Sequence, residues 1–394
     1  LCHRNTNKTI MSTIINTRSP FYKKITNASL ASTKLELYIW QGTYAQRAST
    51  DKKYTLTKTE VGTNNYVTYE LSKLIRDYMI TEYGDYSTDS LWVDAVITIY
   101  NSSGTSISNT TETFLAIDGY GYFENGINPR SIEYTTPMLL QDNTTIYYND
   151  GQDIKIPIYA EAATVTATLS PTVPSNNVKW NEANVFWDTN AAGTWQGGGT
   201  AQTISDNGNT DQKIQYLLIT GTQDLASNAT LTLSSDNNSY STNTVIKLEK
   251  VCEPKFIPFS IIFYNKYGAL QNMWFFKKSM TDINIKSETF KNNMVDFDNN
   301  GGQPSYTLTK HQEKKFIANG KESITINSGF YDESFNEVVR QMLLSEQVWI
   351  YDGSSTLPIN LKSNTLQFKK SVNDKLISYT ISFNYAFDKI NNII

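Results

Sequence analysis

Alternation with a period of two dominates the chain. In "KLELYIW", Leu35, Leu37 and Ile39 fall on one side, with Glu36, Tyr38 and Trp40 on the other. That is the signature of a half-buried strand. "LWVDAVITIY" repeats it with Leu91, Val93, Ala95, Ile97 and Ile99. Between these runs, Leu71, Leu74, Ile75, Tyr78 and Met79 follow helical spacing, which predicts a short helix on one edge or end of the sheet. Gly and Asn-Gly in "AIDGYGYFENGINP" mark turns.

The same rhythm predicts the domain order. Residues 1–10 form a leader, read as an extension upstream of Met11 and excluded from the fold; residues 11–130 form an N-terminal β-sandwich with one short helix. Residues 131–160 read as a connector whose strand, "DIKIPIYAE", carries Pro157 and so suits a sheet edge. Residues 161–250 hold short strands with turn signals every eight to twelve residues, an Ig-like sandwich without the Cys–Trp–Cys signature. After the prolines of "VCEPKFIP", residues 251–394 form a C-terminal β-rich α+β domain with one helix packed on a sheet. The fold class is therefore mainly β, with tandem sandwiches followed by this last domain.

Within the C-terminal region, "FSIIFYNKYGALQNMWFF" predicts a hairpin turning at Lys266-Tyr267-Gly268, and Asn319-Gly320 a second hairpin. The clearest amphipathic helix is 334–346, where Phe335, Val338, Val339, Met342 and Leu343 make one stripe and Ser334 with Glu337 fits a capping box. The final strand, "LISYTISFNYAF", sets Ile377, Tyr379, Ile381, Phe383, Tyr385 and Phe387 on one face. The helix stripe is expected to pack on Tyr379, Ile381 and Phe383. Each buried side chain of that stripe contributes roughly 1.5–3 kcal/mol before entropy. These eight residues are the candidate packing or subunit-interface positions.

Composition supports a folded, strand-rich chain. Of 394 residues, charged types make up 18%, below the ~25% of an average domain, while Tyr numbers 25 and Phe 17. The net charge is −4 and no basic stripe is visible, which argues against duplex nucleic acid as a partner. No window approaches eighteen apolar residues, so no membrane-spanning helix is predicted, and the leader lacks the apolar core of a signal peptide. Cys2 and Cys252 do not suggest a disulfide framework.

Candidate chemistry is sparse. His311 has no nearby thiol or metal spacing, and His3 lies in the leader. "DFDNNGG" places Asp296, Asp298, Asn300 and Gly301 like the start of a calcium loop. The twelfth position is Thr307, which lacks the bidentate carboxylate such a loop needs, so an Asx-rich turn is the expectation. A glycosidase needs only two carboxylates in reach of each other, and Asp94 and Asp118 are the candidates among aromatics. The reading assigns no catalytic residue, no cofactor and no metal; the chain is not expected to be an enzyme.

Three C-terminal stretches carry a resemblance: "CEPKFIPFSIIFYNKYGALQNMWFF", "NGKESITINSGFYDESFNEVVRQMLLSEQVWIYDG" and "SVNDKLISYTISFNYAFDKINNI". With the N-terminal "INTRSPFYKK" and "ELSKLIRDYM", "WVDAVITIY" and "FLAIDGYGYFENGINP", they resemble virion proteins of tailed phages infecting Bacteroidota, especially flavobacteria. The resemblance implies a virion structural protein of the tail or baseplate, located in the particle. It also implies a homo-oligomer (ring or tube) in contact with other virion proteins. The alternative is a glycan-binding or adhesion protein. There a host surface glycan is the partner, and "GYGYFENG" or "TWQGGGT" lines the site.

Overall fold

A computed structural model describes residues 13–42, 44–62, 64–79, 83, 90–130, 132, 139–149, 151–159, 164–170, 185–186, 194–195, 202–205, 214–219, 229–235, 243–251, 255–295, 303–362 and 376–390. The fold is mainly β, built of several sheets with two α-helices. The chain divides into two compact units. One contains Leu1–Cys252, Ile262–Met273 and Ser334–Glu346; the other contains Glu253–Ile261, Trp274–Glu333 and Gln347–Ile394.

The first unit opens with β1 (Thr13–Asn16), β2 (Tyr22–Thr26), β3 (Ser32–Trp40), β4 (Lys52–Thr59) and β5 (Tyr66–Glu70). Helix α1 (Ser72–Arg76), β6 (Ser90–Tyr100) and β7 (Ser106–Ile117) follow. A five-stranded sheet runs β1-β7-β6-β3-β4, and β2 pairs with β5 in a small second sheet. Leu35, Leu37, Ile39, Leu91, Val93, Ala95, Ile97 and Ile99 are all buried, as their alternation predicts. They share one core with Ile25, Val67, Tyr69 and Ile75 from the small sheet and α1. Inside it, Tyr69 donates to the Thr33 carbonyl at 3.1 Å, which satisfies its phenol.

Next come β8 (Thr145–Tyr148), β9 (Ile154–Tyr159), β10 (Thr164–Ser170), β11 (Val185–Phe186), β12 (Thr194–Trp195), β13 (Gln202–Ser205), β14 (Ile214–Ile219), β15 (Thr230–Ser235) and β16 (Thr244–Lys250). One sheet runs β13-β10-β15-β16-β8, and β9 pairs with β14. Pro157 lies within β9; it has no N–H to offer, and its carbonyl accepts from Leu140 N at 2.9 Å.

The hairpin of β17 (Phe259–Tyr264) and β18 (Leu270–Phe275) turns where the sequence places it. Asn265 shapes the turn: its Oδ1 accepts from Tyr267 N at 3.0 Å and Ala269 N at 3.2 Å. Gly268 closes it at φ +74°, and a Cβ there would lie 2.8 Å from the Asp118 carbonyl carbon. Only glycine fits such a position without displacement of backbone.

In the second unit lie β19 (Met280–Lys291), β20 (Glu313–Asp332), β21 (Val348–Tyr351), β22 (Thr356–Leu361) and β23 (Leu376–Tyr385). Neighbours run β21-β22-β23-β20-β19. The Asn319-Gly320 hairpin is not formed. β20 runs straight through both residues, paired to Lys286 and Ile285 of β19. A two-residue hairpin needs positive φ at both positions, and neither residue has it. The Asn319 side chain instead donates to Asp388 at 3.0 Å and accepts from Gly320 N at 2.8 Å.

Candidate functional site: an uncovered two-stranded arm

β20 is twenty residues long, and β23 pairs with it only from Ser323 onward. Among the described residues, Glu313–Glu322 therefore have β19 as their one strand neighbour. The result is a two-stranded arm, with Ile283–Lys291 on its outer side. Asp388–Ile390 run along Asn319–Glu322, with Lys389 N donating to the Gly320 carbonyl at 2.7 Å, so among the described residues the stretch with β19 alone is Glu313–Ala318, about 20 Å at ~3.4 Å per residue. All twelve residues of β19 are exposed.

The arm has two unlike faces. Ile283 lies opposite Glu322 and Ile285 opposite Gly320, so all four point the same way. A Cβ on Gly320 would sit 2.9 Å from the Ile283 Cδ1, which confirms the shared side. A register shift at Glu288–Thr289 leaves Phe316 as an extra residue in β20, and Phe290, which alternation places on the other face, with Asp282 and Asn284, lies 6.4 Å from Phe316, ring to ring and edge-on. Ile283, Ile285, Phe290 and Phe316 are 52%, 59%, 45% and 71% exposed, an isoleucine pair on one face and a ring pair farther along the ribbon, all open to water. The opposite face carries Asp282, Asn284 and Lys286 with Asn319 and Lys321. An isolated pair of strands is marginal in water, and uncovered apolar stripes mark contact surfaces.

Sequence reasoning did not single out this arm. Its available signal was "MTDINIKSETFK", twelve residues without Gly or Pro in which Ile283 and Ile285 alternate with charges. The Asn-Gly pair hid the matching half.

The helix residues have a different setting. Helix α2 (Phe335–Leu344) belongs to the first unit, and Phe335, Val338, Val339 and Met342 are buried there while Leu343 is half-buried. Phe335 meets Tyr147, with ring centroids 5.5 Å apart. Glu337 accepts from Tyr122 at 2.5 Å and from Arg340 at 2.8 Å. Gln341 donates to both Glu337 and Asp142 and accepts from Lys266 N at 3.2 Å. Asp142 in turn takes the Tyr267 phenol and the Lys266 ammonium, each at 2.8 Å. Tyr379, Ile381 and Phe383 are buried on β23 in the second unit. The expected capping box does not form. Ser334 is itself in helical conformation and makes no cap hydrogen bond, and Glu337 is committed to side chains.

The two acidic candidates lie apart, each with partners of its own. Asp94 is fully buried and takes Arg47 at 2.5 Å and Thr113 at 2.7 Å. Arg47 also lies over the Tyr38 ring, 3.9 Å from its centroid. Asp118 sits five residues beyond the partner of Asp94, about 17 Å along the strand, too far for a glycosidase pair. Burial pushes its carboxyl up to about 6, against the pull of Arg18, Arg76 and the Thr17 hydroxyl, while Glu346 adds to the rise. Arg76 bridges Asp118 at 4.0 Å and Glu346 at 2.5 Å, and Arg18 donates to the Leu344 carbonyl at 2.9 Å. This cluster ties the end of α2 to the N-terminal strands.

His311 is exposed. The calcium-like run Asp296, Asp298, Asn300 and Gly301 lies outside the described residues, as do Cys2, His3 and Cys252. Among the described residues no group of three or more metal-ligating side chains gathers, and no helix is long and apolar enough to cross a membrane. In "GYGYFENG", Tyr120 is buried and Tyr122 half-buried, whereas Phe123 is 99% exposed.

An open cavity of about 460 Å³ lies in the second unit at the root of the arm. Phe256, Met280 and Phe330 line it with Lys277, Thr325 and Asn327.

No family model matches the chain, and no curated protein does. Among solved structures, a tri-modular GH5 (subfamily 4) endo-β-1,4-glucanase from Bacillus licheniformis, complexed with cellotetraose, is similar at 12% identity with a TM-score of 0.17. The similarity covers 59% of this chain and 39% of the glucanase, so the chain spans about two fifths of that protein's length. At that score the likeness indicates neither fold nor activity.

Proposed function

We propose that the chain is a structural subunit of a bacteriophage virion, in the tail or baseplate, that works by joining copies of itself and other virion proteins. The observation that carries this reading is the arm: a long β-ribbon with Ile283, Ile285, Phe290 and Phe316 exposed along it. A surface of that kind gains stability when a neighbouring subunit covers it. The phage resemblance of the flanking stretches supports the particle as the setting. The test is mass spectrometry and side-chain-resolution imaging of purified particles. The chain is expected in stoichiometric amounts with its arm against a neighbour. Its absence from clean particles overturns the reading.

A second reading, attachment to a host glycan, is favoured by Phe123, which presents a whole ring to solvent between Tyr122 and Glu124. Aromatic rings offer sugars a rigid stacking face. Binding on a glycan array that Phe123→Ala abolishes supports it; silence of the intact chain on the array counts against it.

A further inference from the structure

We propose that two copies of the chain join through the outer edges of β19, antiparallel and centred on Asn284, so that the two sheets become one. The inference rests on the assembly reading above and names the contact. β19 ends the strand order, so its outer backbone groups have no strand neighbour among the described residues. The edge strand β4 differs, because Lys52, Lys53 and Lys58 discourage pairing there.

The sequence of β19 is complementary to itself in one register. Antiparallel pairing about a two-fold axis at Asn284 sets residue i against residue 568 − i, a consequence of strand geometry alone. Asp282 then faces Lys286 of the second copy, and Lys286 faces Asp282, giving two ion pairs on the polar face. Ile283 faces Ile285, twice, on the other face, which joins the two isoleucine pairs across the junction. Among the described residues neither Asp282 nor Lys286 has an ion-pair partner within its own chain.

The other registers that keep like faces together do worse: centred on Ile283, Asp282 meets Asn284 and Lys286 meets Met280, with no ion pair inside the strand. Centred on Ile285, Asp282 meets Glu288. Centred on Lys286, that lysine meets itself. Centred on Ser287, Lys286 meets Glu288, but Ile283 meets Lys291 and the register shift at Glu288–Thr289 interrupts the pairing. A two-fold contact closes on itself, so a ring or tube needs a second, different contact as well.

Sedimentation of the full chain from micromolar to several hundred micromolar tests this. The wild-type chain is expected to dimerise. Asp282→Lys and Lys286→Asp each set like charges opposite one another twice, and each is expected to weaken dimerisation roughly tenfold or more. The double variant is expected to restore it. An equimolar mixture of the two single variants is expected to form mixed pairs more tightly than either variant pairs with itself. Both positions are exposed, so circular dichroism is expected to show unchanged folds. A chain that stays monomeric, or swaps that leave dimerisation unaltered, overturn this contact. Either result leaves the virion reading to its own test, the presence of the chain in particles.

Discussion

The phenol of Tyr122 donates a 2.5 Å hydrogen bond to the Glu337 carboxylate, linking residues 215 apart in the chain. Burial and this bond together push the Tyr122 phenol well above its usual range. Glu337 keeps Arg340 and Gln341 when the phenol is removed. Tyr122→Phe is therefore expected to destabilise the first unit by about 1–2 kcal/mol. Glu337→Ala, which strands three donors, is expected to cost more. Urea unfolding of both variants checks the order, and equal losses contradict it.

Asp118 gives a pH dependence with a defined sign. Its folded carboxyl titrates near 6, above the ~3.9 of an unfolded aspartate. The folded state thus holds a proton that the unfolded state releases between those values. Stability from this group is full below about pH 4 and falls as pH rises to about 6, by up to roughly 3 kcal/mol. Asp118→Asn cannot titrate. Relative to wild type it is expected to gain about 2–3 kcal/mol as pH rises from 4 to 7, read from denaturation at each pH. A constant difference across that range excludes the effect.

Arg47 shields a carboxylate that is 0% exposed. Arg47→Ala leaves Asp94 with Thr113 alone and removes the guanidinium from the Tyr38 ring. Loss of one partner of a fully buried pair costs 3–5 kcal/mol; with Arg47 partly exposed, about 2–3 kcal/mol is expected. Adding Asp94→Asn is expected to recover part of it, since no charge is then stranded. A double-mutant cycle measures the recovery.

Gly268 and Gly126 share a positive φ, of 74° and 72°, but not their surroundings. A Cβ on Gly268 meets the Asp118 backbone at 2.8 Å, whereas one on Gly126 meets nothing within 4 Å. Gly126 also has ψ −151°, a conformation only glycine adopts readily, so Gly126→Ala is expected to cost about 1–3 kcal/mol from backbone strain alone. Gly268→Ala adds overpacking against fixed backbone, for a total of about 3–5 kcal/mol. Thermal unfolding of the two variants side by side tests the gap.

Much of this fold is legible in the sequence where one residue class decides a position. The alternation of Leu35 to Ile39 and of Leu91 to Ile99 names the core faces correctly. The Asn265–Gly268 turn and the short α1 helix lie where their local chemistry puts them. Legibility fails where a distant partner decides. Asn319-Gly320 carries a strong hairpin signal, yet pairing with Lys286 and Ile285 on one side and the hold of Asp388 on the other keep it extended. For α2, the stripe from Phe335 to Met342 says that a face must be buried, not what buries it. Tyr147, Tyr122 and Asp142, some 200 residues earlier, could not be chosen from spacing. The arm escaped for the same reason: its exposure is visible only once β23 is seen to stop pairing at Ser323.

The extra residue that slips the β19–β20 register at Glu288–Thr289 also sharpens the right-handed coil of the ribbon. A coiled ribbon fits snugly only along a surface wound to the same hand. Under the assembly proposed above, two copies joined through such a ribbon would meet askew instead of side by side.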